Sequence, residues 1–154
     1  MRFPITDRQE TMTIDRDAVR RVCRYVCSAE KRPLFSASVV FVDDAEIHDI
    51  NRRFLDHNRP TDVISFPLTN EDDPDMPEPE PDMEDEEDID GEIIVSAETA
   101  RREAKERGLD ERHELLLYVI HGLLHLMDYD DLSPVPRRRM HARQEELLKG
   151  FLEN

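Results

Sequence analysis

The chain has 154 residues, enough for one domain with a moderate core. Hydrophobic residues make up 38 %, and the longest apolar run, Leu115 to Ile120, is far below the roughly 20 residues that a membrane-spanning helix needs. The net charge of −16 is concentrated: residues 71–90 hold thirteen acidic and no basic residues, and the remainder carries 24 acidic against 21 basic, so it is only mildly acidic. The first residues, Met-Arg-Phe-Pro-Ile-Thr-Asp, contain no apolar leader, and the expected location is the cytoplasm. Basic residues are skewed, with 18 Arg against 3 Lys. Cys23 and Cys27 are four apart and lack the Cys-x-x-Cys spacing of a metal or redox pair. They read as small core residues.

In chain order, Phe3 to Ile5 and Thr11 to Ile14 read as short extended pieces. Asp15 then caps a helix over 16–29, with Ala18, Val19, Val22, Cys23 and Val26 at helical spacing. Pro33 ends that region. Ser36 to Val42 is rich in β-branched residues and predicts a strand. Asp43 and Asp44 cap a second helix, with Ile47, Ile50 and Phe54 on its inner face. A turn at Asn58-Arg59-Pro60 leads to a strand over Thr61 to Phe66, ended by Pro67. Residues 69–90 are acidic and punctuated by proline, and they cannot bury enough apolar surface to offset their ordering entropy. A mobile loop is expected there. Gly91 to Ser96 predicts a buried strand. Ser96 caps a helix to about Arg107, closed by Gly108. Asp110 caps the next helix, about 111–127. A last helix follows Pro136, with Met140, Leu147, Leu148 and Phe151 facing inward. This order predicts one α/β (α+β) domain over 1–154, a small mixed sheet flanked by helices.

The helix at 111–127 carries the chemistry. His121 and His125 are four apart in an apolar stretch, so they share one helix face with Cβ atoms roughly 5–6 Å apart. Both imidazoles can therefore reach one ion, and rings in so apolar a helix need partners. A chain that turns back after His125 brings Asp131 to the same ion. Two nitrogens and one oxygen leave a fourth tetrahedral position open, as in catalytic rather than structural sites. Asp128 and Asp130 are further carboxylates; Asp130 or a substrate group moves the proton, and Asp130 is the alternative ligand. Gly122 stands where a zincin peptidase has the Glu of His-Glu-x-x-His, which argues against peptide hydrolysis.

His121-Gly-Leu-Leu-His-Leu-Met-Asp-Tyr-Asp-Asp131 resembles the His-Gly-x-x-His-Leu-x-Gly-Tyr-Asp-His signature of the YbeY endoribonucleases, the ribosomal RNA maturation factors. Two further stretches resemble that family's other motifs, in family order: Asn51 to Pro67, with the core Pro60-Thr-Asp-Val-Ile-Ser-Phe-Pro67, and Gly91-Glu-Ile-Ile-Val-Ser96. The resemblance covers roughly residues 36–150. It implies a zincin-like fold and a metal-dependent endoribonuclease specific for single-stranded RNA, active in ribosomal RNA maturation and ribosome quality control. It also implies one zinc ion per chain. The implied partners are ribosomal RNA and the small ribosomal subunit, with one of its proteins and a ribosome-associated GTPase, and no membrane.

The departures from the family pattern bear on chemistry. The third ligand position, usually His, is Asp131 here. Zinc accepts Asp, but the centre then carries +1 rather than +2, acidifies water less and tolerates manganese or another divalent ion better. Asp128 replaces the family's Gly, and Asp accepts the left-handed conformation better than most residues. The family's Arg after the aromatic of the second motif is Leu55. A phosphodiester cut needs a cation near the non-bridging oxygens. Arg52, Arg53 and Arg59 are the candidates, with Arg59 favoured for its place in the turn. The expected catalytic groups are therefore a water at the metal's open position and Arg59. Arg52, Arg53 and His57 are expected to bind RNA, although each also reads as an ordinary solvent-facing residue. Asp62 matches a family position near the second motif and reads equally as structural. Arg137, Arg138 and Arg139 read as a solvated face or as phosphate contacts. His48, His113 and His141 read as surface or capping residues. Two other functions fit the sequence. One is a non-catalytic ribosome-assembly factor with a structural metal, favoured by Leu55 and Asp131. The other is a metallohydrolase of another substrate.

Overall fold

Near-continuous apolar runs, mostly β-branched, at Ala37–Val42 and Gly91–Ser96 build the two central strands of a four-stranded sheet. The computed structural model describes residues 2–54, 62–68, 89–129 and 133–153, with the Phe54 side chain left out. The chain runs β1 (Ile5–Asp7), α1 (Arg16–Ala29), β2 (Ala37–Val42), α2 (Asp44–Phe54), β3 (Val63–Pro67), β4 (Gly91–Ser96), α3 (Ala97–Arg107), α4 (Glu111–Leu126) and α5 (Pro134–Glu153). The sheet order is β1-β2-β4-β3. β1, β2 and β4 are parallel, and β3 pairs antiparallel with β4 at one edge. This is the mixed sheet flanked by helices that the sequence predicts.

The two-residue side-chain period of the strands separates two apolar layers. Val39, Phe41, Ile93 and Val95 face a large core with Val22 and Cys23 of α1, Leu123 and Leu124 of α4, and Met140 and Leu147 of α5. Val40, Val42, Ile64 and Ile94 face the other way, onto Ile47 and Ile50 of α2. Helix α4 is apolar on most sides because it lies among α1, α3, α5, β3 and β4.

The caps follow the expected residues. Asp15 accepts from Ala18 N, Ser96 from Thr99 N and Asp110 from Arg112 N. Gly108 closes α3 at φ 67°. Two expectations are corrected. Thr11 to Ile14 form no strand, because Gln9 acts in place of a strand partner. Its Oε1 accepts from Met12 N at 3.0 Å, and its Nε2 donates to Met12 O at 2.9 Å. Helix α5 begins at Pro134, ahead of Pro136, because the first turn needs no N–H from its residues. The first helical bond runs from Arg137 N to Ser133 O, 3.0 Å. β3 is shifted slightly from the expected Thr61 to Phe66, and the expected mobile loop lies almost wholly outside the described residues. Among the described residues no helix is long and apolar enough to cross a membrane.

Candidate metal centre

Gly122 sets how closely α4 approaches the sheet. A Cβ at that position would stand 2.5 Å from Ile93 Cγ2 and 3.2 Å from Ser65 Oγ. Ser65, on edge strand β3, donates from its hydroxyl to Gly122 O at 3.0 Å. The helix is thus fastened to β3 and β4 between the two histidines.

His121 and His125 are half-buried, with ring centroids 4.6 Å apart and planes at 77°. Their Nε2 atoms stand 3.1 Å apart. Two nitrogens each about 2.05 Å from one tetrahedral ion would stand about 3.3 Å apart. The pair therefore fits two corners of such a coordination sphere. His121 Nδ1 is 2.7 Å from Gln144 Oε1 on α5. An amide oxygen only accepts, so Nδ1 is the donor in this bond. Both histidines sit in the last two turns of α4.

Past His125, Met127 donates its N–H to Leu123 O and Leu124 O, and Asp128 turns at φ 73°. This is the left-handed stop expected at the family's Gly position. Tyr129 N then donates back to Leu124 O at 3.0 Å. The Tyr129 hydroxyl donates to Glu30 Oε2 at 2.9 Å, and Arg143 Nε donates to Glu30 Oε1 at 2.6 Å. The chain leaving α4 is therefore tied to α1 and α5. Asp130 and Asp131 follow and lie outside the described residues, as do Leu55, His57 and Arg59. Among the described residues no cluster of three or more His, Cys, Asp or Glu is found that could hold an ion.

A cleft of about 530 Å³ opens beside His121. Asp62, Arg102, Arg107, Glu114, Tyr118, His141 and Gln144 are among the residues that line it. Glu114, Tyr118, His121 and His125 follow one another along a face of α4. Burial pushes the Glu114 carboxyl up, against the pull of Arg107 and of a hydrogen bond with Tyr118. Burial, with Asp62 and Glu114 nearby, pushes the Tyr118 hydroxyl up as well. Arg107 reaches Glu103 at 3.3 Å and Glu114 at 3.8 Å, and Arg102 binds Asp44 at 2.7 Å.

Several sequence candidates stand elsewhere. Arg52 and Arg53 are exposed on α2, across the sheet from α4, and both pair with Asp49, at 2.8 and 3.5 Å. The structure does not bring them to the histidines. Asp62 lies at the cleft, and its backbone O accepts from Ser96 N at 2.9 Å. Arg137, Arg138, Arg139 and His113 are exposed, and His48 is half-buried on α2. His141 is exposed as expected but stands at the rim of the centre, 6.4 Å from His121 between ring centroids. Cys23 and Cys27 are buried and unpaired with each other, and burial raises the Cys27 thiol to about 11. Neither is poised for redox or metal chemistry.

Gln144 was not among the sequence candidates. Its signal is present nonetheless: it stands between Met140 and Leu147 on the buried stripe of α5, where a polar residue needs a partner.

A zincin-like α/β sheet with paired histidines on a buried helix is the class defined by this fold and geometry. Comparison with known proteins narrows it. The family model described as Endoribonuclease YbeY matches residues 4–152. Three relatives carrying that same description come from Rhodopirellula baltica, Syntrophotalea carbinolica and Halalkalibacterium halodurans. The first is 46 % identical over 116 residues, 74 % of this chain and 53 % of that protein, so the chain spans about half of its length. The second is 34 % identical, covering 97 % of this chain and 95 % of the relative. The third is also 34 % identical, covering 96 % and 89 %. A Thermotoga maritima protein solved in solution shares the fold at a TM-score of 0.62, with 24 % identity over 97 % of this chain and 88 % of that one. The chain belongs to the YbeY endoribonuclease family.

Proposed function

We propose that the protein is a metal-dependent endoribonuclease that cuts single-stranded RNA, with maturation and quality control of small-subunit ribosomal RNA as its role. The observation that carries this reading is the 3.1 Å separation of the two Nε2 atoms, on a helix whose family relatives are named endoribonucleases. His121, His125 and Asp131 hold one ion, zinc by preference, with manganese tolerated because the ligand set carries a negative charge. When bound, that ion supplies positive charge to a phosphate oxygen and acidifies water. The chain's own residues do the rest. Both imidazoles stay neutral and donate lone pairs. Asp130 or the substrate receives the proton. Arg59 balances charge on the non-bridging oxygens, in place of the Arg replaced by Leu55. The partners under this reading are ribosomal RNA and the small subunit.

The test is cleavage of single-stranded RNA by wild type and by His125→Ala, with metal content and circular dichroism on the same samples. The expected result is loss of metal and of cleavage with the helical signal retained. Full metal occupancy in His125→Ala would refute the ligand assignment. A 2′,3′-cyclic phosphate end would identify the RNA's own hydroxyl as nucleophile. A second reading, a non-catalytic assembly factor with a structural metal, is favoured by Leu55. It predicts stoichiometric metal and co-sedimentation with ribosomal particles without cleavage.

A further inference from the structure

Gln144 is 7 % exposed and is flanked on its helix face by Met140 and Leu147, both buried. A Leu would continue the stripe. The amide instead meets His121, with Oε1 2.7 Å from Nδ1. The other ring nitrogen is the one that faces His125.

We propose that Gln144 is the positioning residue of His121: its amide oxygen holds the ring as the Nδ1–H tautomer and aims Nε2 at the point shared with His125. A histidine that ligates a metal donates its other N–H to a carboxylate, a carbonyl or water, and such partners fix ring orientation and ligand strength. A carboxylate at this position would add negative charge beside the paired histidines. The amide gives the orientation and leaves the charge unchanged. The inference rests on the metal-centre reading above and adds the residue that makes His121 a competent ligand.

The test uses the full chain as wild type, Gln144→Leu and Gln144→Glu. Nitrogen NMR of the metal-free protein reports the His121 tautomer, and competition against a chromogenic chelator reports zinc affinity. Wild type is expected to be Nδ1–H. Gln144→Leu is expected to lose that preference and to bind zinc 10–100-fold more weakly. Gln144→Glu, which keeps an acceptor, is expected to keep the tautomer and to bind zinc at least as tightly as wild type. An unchanged tautomer in Gln144→Leu overturns the proposal, as does unchanged zinc affinity beside a changed tautomer. If Gln144→Leu does not fold, Gln144→Glu decides alone, and tenfold weaker zinc binding in it contradicts the proposal. Failure of the metal-centre reading is separately visible, because wild type then takes up no zinc. Failure of the present inference leaves wild-type uptake intact and Gln144→Leu matching it.

Discussion

At Gly122 a single missing methyl group lets α4 lie on β4. Ile93 Cγ2 would be 2.5 Å from a Cβ there, and Ile93 itself is fully buried in the central strand, so little can give. Overpacking of this kind costs about 1–3 kcal/mol. Gly122→Ala is therefore expected to lower stability by that amount, read as a shift of the urea midpoint with unchanged slope. An unchanged midpoint would show that the helix can lift off the sheet without penalty. The same contact explains why the peptidase Glu has no place at this position. The sequence shows the glycine and the missing Glu. It does not show that Ile93 and Ser65 press against that position, because these contacts join residues far apart in the chain. Gln144 was missed for the same reason: a lone polar residue in an amphipathic stripe signals a partner without naming it.

At the scale of elements, one carboxylate joins two helix starts. Asp44, first residue of α2, accepts from the hydroxyls of Ser96 and Thr99 at 2.6 Å each and from Arg102 Nη1 at 2.7 Å. In return, Asp44 N donates to Glu98 Oε1 at 2.9 Å. Burial pushes the Asp44 carboxyl up, but the hydrogen bonds from Arg102, Ser96 and Thr99 outweigh it and hold it below its ordinary value of 3.8. A depressed carboxyl contributes stability that is present above the unfolded value and is lost as pH falls through the folded one. Asp44→Asn is expected to be less stable than wild type at pH 7 and to lose less stability on acidification to pH 3. Urea unfolding at the two pH values measures both. Parallel pH dependence in the two proteins would remove Asp44 from the acid response. Element identity was largely legible: Asp15, Ser96, Asp110 and Gly108 mark real helix ends because capping is local chemistry. Thr11 to Ile14 misled because the partner that satisfies Met12 is the Gln9 side chain, and periodicity carries no such information. The start of α5 misled because proline reads as a breaker, whereas in a first turn it is tolerated.

At the scale of the whole molecule, the sheet separates two jobs. Among the described residues, α2 covers one apolar face, and α1, α3, α4 and α5 pack on the other. The antiparallel edge strand β3 reaches α4 through Ser65 and meets β4 beside the start of the acidic stretch. There Leu68 N donates to Asp90 O at 2.9 Å, so the residues at either end of that stretch stand side by side. The thirteen acidic residues of 71–90 therefore enter the chain without interrupting the pairing of β3 with β4. The family and the two histidines were legible because the three motifs are continuous in sequence. The surroundings of the centre were not, since they come from α1, α3 and α5. The proposed function stands on a third ligand, Asp131, from the stretch after α4; the last described residue before it, Tyr129, is bound to Glu30, which Arg143 also binds. The most direct measurement is metal content by mass spectrometry on purified wild type and Asp131→Ala, with both samples assayed on single-stranded ribosomal RNA. One ion per chain is predicted in wild type, with metal and cleavage lost together in the variant. A wild type without a divalent ion, or an Asp131→Ala variant that keeps both its metal and its activity, would contradict the account.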